Sequence, residues 1–319
     1  MKFKPILVVP GEPNSIFFEL FFKVIKKKFK SPIILIASKK LLLKQAKYFK
    51  IKVNFNLIYV SDIINHKKKL KKINLINVDF DQPQLFGKIT AKSNNYISSC
   101  FDIAINLLKN NVSNKLINGP ISKKTYLKKR FNGITEYLAK KTNTKKFAMV
   151  IYNKNLSVCP LTTHLPIKLV SKKINKLEIT NKVKLVSKFW KKRFNKKIKI
   201  GITGLNPHCE SIDKFNEDLK IILPTIKNLK RLNYNIEGPF PADTVFLKNS
   251  RKKFDLIIGM YHDQVLAPMK TLFEYDAINI TIGLPFIRVS PDHGPNESML
   301  GKNKSNHLSL LNSIKFLDF

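Results

Sequence analysis

The sequence predicts an α/β fold with a mostly parallel sheet that is covered by helices on both faces. Short apolar runs alternate with longer amphipathic runs along the chain, as they do where crossover helices join parallel strands. The 319 residues are enough for two such domains, at roughly 150 residues per domain. Hydrophobic residues make up 44% of the chain, which is typical of globular proteins and excludes a disordered or fibrous one.

The first apolar runs predict strands and helices in turn. Ile6–Val9 predicts a strand that ends at Pro10-Gly11, and a helical run begins near Ser15, a residue type that caps helices. Further apolar or amphipathic runs follow at residues 32–37, 41–49 and 57–60.

The second half of the chain repeats this alternation. Residues 198–203 predict a strand that breaks at Gly204, and residues 255–260 predict a strand that leads into a polar loop. Before the first of these strands, apolar residues recur at the spacing of one helix face: Ile179, Val183, Val186 and Trp190. The clearest turn signal at mid-chain is the basic run 128–130 followed by Asn132-Gly133, which indicates a domain boundary near residue 130.

The charge is strongly positive, with a formal net charge of +38 at pH 7. Only five of the 59 basic residues are arginine, so 54 are lysine. Arginine is the residue that forms bidentate hydrogen bonds with guanine or phosphate, and it is scarce here. The excess lysine is spread along the chain together with abundant asparagine and isoleucine, as a codon bias would produce. The composition therefore predicts a solvated lysine surface with weak, salt-sensitive adhesion to polyanions, and no specific nucleic-acid partner.

The cysteines and the apolar runs indicate a cytoplasmic protein. Three scattered cysteines without a Cys-x-x-Cys pair predict a reducing compartment. The apolar runs are too short to span a bilayer, and the four apolar residues after Pro5 are too few for a signal-peptide core. No membrane partner is expected.

Three histidines each follow a predicted strand beside a turn residue: His164, His208 and His262. Ligands of α/β proteins collect at the carboxyl ends of strands, where side chains from different strands converge. Three neutral imidazoles with an open fourth position suit Zn²⁺ or a similar divalent ion that acts as a Lewis acid. A structural or hydrogen-bonding role is the alternative for each histidine alone, and their equivalent placement favours a metal site.

Lys270, Asn279 and Arg288 follow at intervals of nine residues, and they are predicted at loop or strand edges. Lys270 supplies a localised positive charge, Asn279 a neutral amide and Arg288 a planar guanidinium. This set of groups suits phosphate and carboxylate ligands. The alternative is a surface lysine, a turn asparagine and a salt-bridged arginine. Arg288 favours the binding role, because arginine is rare in this chain. Neither a Gly-x-Gly-x-x-Gly turn nor a Gly-x-Ser-x-Gly elbow is present.

These motifs, taken with their neighbours, resemble one known family. The matching segments are residues 118–123, 133–136, 162–166, 204–208, 238–244 and 260–294. The chain resembles the 4-hydroxythreonine-4-phosphate dehydrogenases of pyridoxal phosphate biosynthesis. The segments occur in the order of that family, and the resemblance extends from about residue 6 to the end of the chain.

The resemblance implies an isocitrate/isopropylmalate-dehydrogenase-like fold of two α/β/α domains. The active site is expected in the interdomain cleft at the interface of a homodimer. The first domain is expected to comprise residues 1–130 and 295–319, and the second, residues 131–294, is expected to carry most metal and substrate residues.

The implied activity is an oxidoreductase step of pyridoxine 5′-phosphate (vitamin B6) biosynthesis. NAD or NADP oxidises 4-phosphooxy-L-threonine to 2-amino-3-oxo-4-phosphooxybutanoate, which decarboxylates to 3-amino-2-oxopropyl phosphate. One divalent metal per subunit (zinc, magnesium or cobalt) is expected on His164, His208 and His262. The matching substrate-binding positions are Ile134, Thr135, Lys270, Asn279 and Arg288. Asp243 and Asp263 are the candidates for proton transfer or for orienting the metal ligands.

The sequence also departs from the family pattern. Ile134 stands where the family usually has a histidine, and the loop after Gly11 lacks two of the family's glycines. One alternative is therefore a paralogous dehydrogenase of another phosphorylated hydroxy acid, such as 4-phospho-erythronate or threonate. An alternative of another class is a lysine-rich polyanion-binding protein without catalysis.

Overall fold

Twelve strands alternate with helices in the part of the chain that the computed structural model describes, which is residues 3–65, 67–127, 131, 133–212 and 215–319. The predicted turn at 128–130 and Asn132 lies outside these residues. The strands are β1 (Ile6–Val9), β2 (Ile33–Ala37), β3 (Asn56–Leu57), β4 (Ile73–Asn77), β5 (Lys115–Asn118), β6 (Ala148–Tyr152), β7 (Ser157–Thr162), β8 (Ile200–Thr203), β9 (Ile236–Phe240), β10 (Leu256–Tyr261), β11 (Ile278–Ile282) and β12 (Ile287–Pro291).

The same residues contain twelve α-helices, several of them a single turn. They are α1 (Phe17–Val24), α2 (Lys39–Tyr48), α3 (Val60–Ile64), α4 (Asn94–Lys109), α5 (Ile134–Lys141), α6 (Val170–Lys173), α7 (Lys176–Phe194), α8 (Leu223–Arg231), α9 (Ala242–Val245), α10 (Lys248–Arg251), α11 (His262–Phe273) and α12 (Leu308–Leu317). None of the described helices has both the length and the apolar composition that crossing a membrane requires.

The chain divides into two compact units, one of residues 1–138 and 285–319 and the other of residues 139–284. The predicted domain limits at 130 and 294 stay a prediction. In the first unit the strand order is β3-β4-β2-β1-β5-β12, and every neighbouring pair is parallel. In the second unit the order is β11-β6-β7-β10-β8-β9, where only β6 runs antiparallel to its neighbours. The predicted mostly parallel sheet is confirmed.

Helix α7 shows why these segments fold as they do. Asn175 accepts a hydrogen bond from Glu178 N over 2.9 Å and caps the helix, which ends at Asn195 in the left-handed conformation. The four apolar residues of the predicted helix face are all buried, so this prediction is confirmed. This apolar face of α7 packs on the sheet of the second unit, which removes it from water.

The strand ends of the first unit lie unusually close together. A Cβ added to Gly119 would lie 1.9 Å from Pro10 O, so only glycine allows the end of β5 to approach the loop after β1. Glu12 N donates to Pro120 O over 2.9 Å, and this bond ties the two loops together.

The sequence prediction is wrong at one strand end. The chain after β10 does not form a polar loop, because α11 begins directly at His262. Val265 and Met269, four residues apart, are buried in an apolar cluster with Val158 and Ile257 of β7 and β10, and this packing stabilises the helix despite its polar first turn.

Candidate active site

The three predicted histidines follow three adjacent parallel strands of the second unit. His164 lies two residues after β7, His262 is the first residue of α11 after β10, and His208 lies in the loop after β8. Strand β10 pairs in parallel with both β7 and β8, so all three strands end at the same edge of the sheet.

The structure brings two of these histidines together. The ring centroids of His164 and His262 are 5.5 Å apart, and both side chains are half-buried. His208 is exposed, and within the described ranges no three His, Cys, Asp or Glu side chains are close enough to hold a metal ion. The structure thus brings two of the three predicted imidazoles together, and His208 is not among their ring contacts in the described part of the chain.

Two of the histidines adopt an unusual backbone conformation. The φ angles of His164 and His208 are 47° and 55°, and that of Cys209 is 62°. This left-handed region costs a residue with a side chain of the order of 1–3 kcal/mol, and such residues collect at functional sites. Surrounding contacts must therefore hold the loops after β7 and β8.

Gln264 supplies much of this support. Its Oε1 accepts hydrogen bonds from Met260 N at 2.7 Å and Thr203 Oγ1 at 2.8 Å, and its Nε2 donates to Gly204 O over 2.8 Å. Thr162 Oγ1 in turn donates to Met260 O over 2.8 Å. These bonds join the ends of β7, β10 and β8 beneath the histidines.

The buried carboxylate of Asp218 holds the loop that carries His208. It accepts hydrogen bonds from Leu205 N at 2.7 Å and from Asn206 N at 3.1 Å. A Cβ added to Gly204 would lie 2.6 Å from Asp218 Oδ1, so glycine is required where the loop leaves β8.

The two predicted aspartates differ in their surroundings. Asp263 Oδ1 lies 2.6 Å from His262 Nδ1, close enough to fix the orientation of that imidazole. Asp243 is exposed in the first turn of α9. Burial raises the pKa of the Cys209 thiol, and the charges of Asp218 and Asp243 add to this effect, which places Asp243 near the His208 loop.

The remaining predicted residues of the second unit lie in regular elements, one in a helix and one near the start of a strand. Lys270 is exposed in the last turn of α11, and Asn279 is the second residue of β11. The Oδ1 atom of Asn279 is buried and has no hydrogen-bond partner among the described residues. An unsatisfied buried acceptor is costly, so a ligand that donates a hydrogen bond there would gain from it.

Arg288 is the central polar residue of the first unit. It is the second residue of β12, near the start of that strand, and it is 1% exposed. Its Nε donates to Asn118 Oδ1 over 2.6 Å and its Nη1 to Thr135 Oγ1 over 3.4 Å. Burial lowers the pKa of Arg288 to about 9, and the charge of Glu136 opposes this shift, so the guanidinium is cationic at neutral pH. Thr135 is buried at the start of α5, and Ile134 beside it is half-buried.

Several polar residues of these strand ends escaped the sequence reasoning. Glu12 is buried in the loop after β1, and burial raises its pKa to about 7. Asn118 and Gln264 lie inside the matching segments and Asp218 lies outside them, and only their hydrogen bonds assign a role to each. The sequence signal for Glu12, Asn118 and Gln264 is a position at the end of a strand or just after it, and this position does not distinguish a ligand-binding residue from a supporting one.

Known proteins resemble the chain over nearly its whole length. The family described as pyridoxal phosphate biosynthetic protein PdxA matches residues 28–317. A 4-hydroxythreonine-4-phosphate dehydrogenase of Sulfurihydrogenibium sp. (strain YO3AOP1) is 35% identical over 97% of this chain and 96% of that protein. A D-threonate 4-phosphate dehydrogenase of Pectobacterium atrosepticum is 31% identical over 76% of each chain.

Solved structures agree with these relatives. The crystal structure of 4-hydroxythreonine-4-phosphate dehydrogenase from Klebsiella pneumoniae has a TM-score of 0.84 at 27% identity, covering 99% of this chain and 97% of that one. Isocitrate dehydrogenase from Methylococcus capsulatus has a TM-score of 0.50 at 9% identity over 98% and 84% of the two chains, a likeness of fold alone. The predicted isocitrate/isopropylmalate-dehydrogenase-like fold is therefore confirmed, and the chain belongs to the PdxA family.

Proposed function

We propose that this chain is a dehydrogenase that oxidises 4-phosphooxy-L-threonine with NAD or NADP. The product, 2-amino-3-oxo-4-phosphooxybutanoate, is a β-keto acid that loses CO₂ to give 3-amino-2-oxopropyl phosphate. The family match and the relatives' names support the reaction class. The observation that carries the proposal is the half-buried His164–His262 pair at the ends of adjacent parallel strands.

The imidazole pair fits a divalent metal ion. A centroid separation of 5.5 Å leaves room for an ion about 2.1 Å from one nitrogen of each ring. We propose His164, His208 and His262 as its ligands, with one zinc, magnesium or cobalt ion per subunit of a homodimer. When bound, such an ion would polarise the substrate hydroxyl and the ketone that follows from it.

The protein side chains supply binding and orientation. Arg288 and Lys270 are proposed to bind the phosphate and carboxylate groups, and Thr135 lies beside the Arg288 guanidinium. Asn279 Oδ1 is proposed to accept a hydrogen bond from the substrate. Asp263 holds the imidazole of His262, and the exposed carboxylate of Asp243 is proposed to move a proton. The sequence has no Gly-x-Gly-x-x-Gly turn, so no residue is assigned to the nicotinamide cofactor.

A related substrate is the second candidate. Ile134, half-buried beside Thr135, replaces the family's usual histidine with a side chain that can neither carry charge nor donate a hydrogen bond. Such a change favours a substrate with a different polar group. 4-Phospho-D-erythronate and D-threonate 4-phosphate are the candidates, the latter being the substrate in the name of the Pectobacterium relative.

The deciding experiment measures absorbance at 340 nm with NAD⁺ or NADP⁺ and each of the three substrates. Zn²⁺, Mg²⁺ and Co²⁺ are added separately, with EDTA as the control. Metal-dependent reduction with 4-phosphooxy-L-threonine is the expected result, whereas reduction only with a sugar-acid phosphate would establish the second candidate. If none of the three substrates causes an absorbance increase at 340 nm, and polyanion binding depends steeply on salt, the non-catalytic alternative is favoured.

A further inference from the structure

We propose that Asn118 is a positioning residue that orients Arg288 for anion binding. This inference rests on the proposed function, in which Arg288 binds an anionic group of the substrate. Both residues are 1% exposed, and Arg288 Nε donates to Asn118 Oδ1 over 2.6 Å. A hydrogen bond from a charged guanidinium is stronger than one between neutral groups.

The strand register explains how the two side chains meet. Strand β12 pairs with β5 in parallel, and Arg288 lies opposite Leu116. Side chains two residues apart on a strand point to the same face and are separated by about 6.6 Å. Asn118, the last residue of β5, is two residues beyond Leu116, so the long Arg288 side chain runs along this face and brings its guanidinium to the carboxyl end of the strand.

The amide of Asn118 is itself fixed. Its Nδ2 donates to Gly119 O over 2.8 Å, which identifies Oδ1 as the atom that faces Arg288. Asn118 pairs with Val9 in the sheet, and the Gly119 backbone is packed against Pro10 O. The acceptor therefore belongs to a rigid part of the fold, as the positioning of another side chain requires.

A neutral acceptor at this place preserves the charge of Arg288. The amide oxygen of Asn118 and the hydroxyl of Thr135 orient the guanidinium without neutralising it. An aspartate at position 118 would have nearly the same shape, but it would place a carboxylate on Nε. Such a carboxylate would compete with the phosphate or carboxylate of the substrate for the same cation. Asparagine thus orients the guanidinium and adds no negative charge of its own at Nε.

The first test reads the hydrogen bond directly. The chain has only five arginines, so the proton–nitrogen NMR spectrum of the arginine Nε–H groups holds few signals, and Arg288→Lys identifies the one from Arg288. In Asn118→Leu we expect the solvent exchange of this Nε–H to become about tenfold to hundredfold faster, whereas Asn118→Asp keeps the acceptor and the slow exchange. The control is Asn74→Leu, which removes a buried strand asparagine that bonds to Ile33 O.

The second test reads substrate binding. Asn118→Leu and Asn118→Asp are both expected to raise the KM for 4-phosphooxy-L-threonine about tenfold to hundredfold, with kcat changed much less, because the first loses the orientation and the second cancels the charge. In the Arg288→Met background, neither substitution should change KM further.

Unchanged exchange of the Arg288 Nε–H in Asn118→Leu would overturn the inference. Equal increases of KM in the two backgrounds would also overturn it, because a purely structural asparagine acts independently of Arg288. If the unaltered protein oxidises none of the three substrates, the proposed function fails instead. In that case the exchange measurement, with a titration of inorganic phosphate into the same variants, still decides the role of Asn118.

Discussion

Glu12 predicts a pH dependence of stability that a single substitution isolates. Its side chain is 1% exposed, and Oε1 accepts a hydrogen bond from Ser93 Oγ over 3.0 Å. Oε2 is buried and has no hydrogen-bond partner among the described residues. Burial raises the pKa of Glu12 from 4.5 to about 7; the hydrogen bonds from Ser93 and Asn14 oppose this rise, and the charge of Glu297 adds to it.

The sign follows from the two pKa values. Because the folded protein holds this proton more tightly than the unfolded chain does, the carboxyl favours folding most at low pH. As the pH rises from about 4.5 to about 7, the unfolded chain ionises first and the free energy of unfolding falls. The difference between the two values corresponds to a loss of up to about 3 kcal/mol, complete above pH 7.

Glu12→Gln tests this pH dependence. Glutamine keeps an oxygen that can accept from Ser93, and it places an uncharged amide where the protonated carboxyl has its hydroxyl. We would measure the free energy of unfolding in urea from pH 5 to pH 8 for both proteins, because the other titrating groups cancel in the difference. Relative to the variant, the unaltered protein should lose about 2.5 kcal/mol over this range, because part of the loss occurs below pH 5. Parallel profiles would show that the pKa of Glu12 is not raised in the folded protein, and Glu297→Gln, which removes only the neighbouring charge, is the control.

Three further changes test other parts of the structure. Ile134→His should lower the apparent KM for the phosphorylated substrate, and an unchanged KM would mean that position 134 does not limit binding. Asp263→Asn should weaken Co²⁺ binding about tenfold to hundredfold in an absorbance titration, since the carboxylate orients His262, whereas equal affinity would discard that role. Asn175→Ala removes the cap of α7 and should lower the free energy of unfolding by about 1 kcal/mol in thermal denaturation, with Asn181→Ala in the same helix as the comparison.

Periodic segments of this chain could be predicted from sequence because their signal is local. The strands β1, β8 and β10 lie where apolar runs predicted strands, and α7 buries the four residues that its spacing selected. In each case the residues that define the element are also its neighbours in the chain. The polar side chains that follow β8 and β10 lie at one edge of the second unit's sheet, because these strands are parallel.

The helix at His262 could not be predicted in the same way. Its first turn is polar and Pro268 lies inside it, so local preference indicated a loop. What stabilises the helix is the burial of Val265 and Met269 against strands that are distant in sequence. The roles of Glu12 and Asn118 were missed for the same reason, since their partners Ser93 and Arg288 lie 81 and 170 residues away.

The basic composition of the chain has a different meaning on the surface and in the interior. The lysine side chains of the ion pairs Lys40–Asp81 and Lys196–Asp255 are well exposed to solvent. Exposed ion pairs of this kind contribute little to the free energy of unfolding. Arg288 is buried, and its contacts with Asn118 and Thr135 use two different nitrogens of one planar group. A lysine has a single nitrogen on a flexible stem and cannot reproduce this geometry. In a chain with 54 lysines and five arginines, an arginine at such a place identifies a position where the direction of the hydrogen bonds matters as much as the charge.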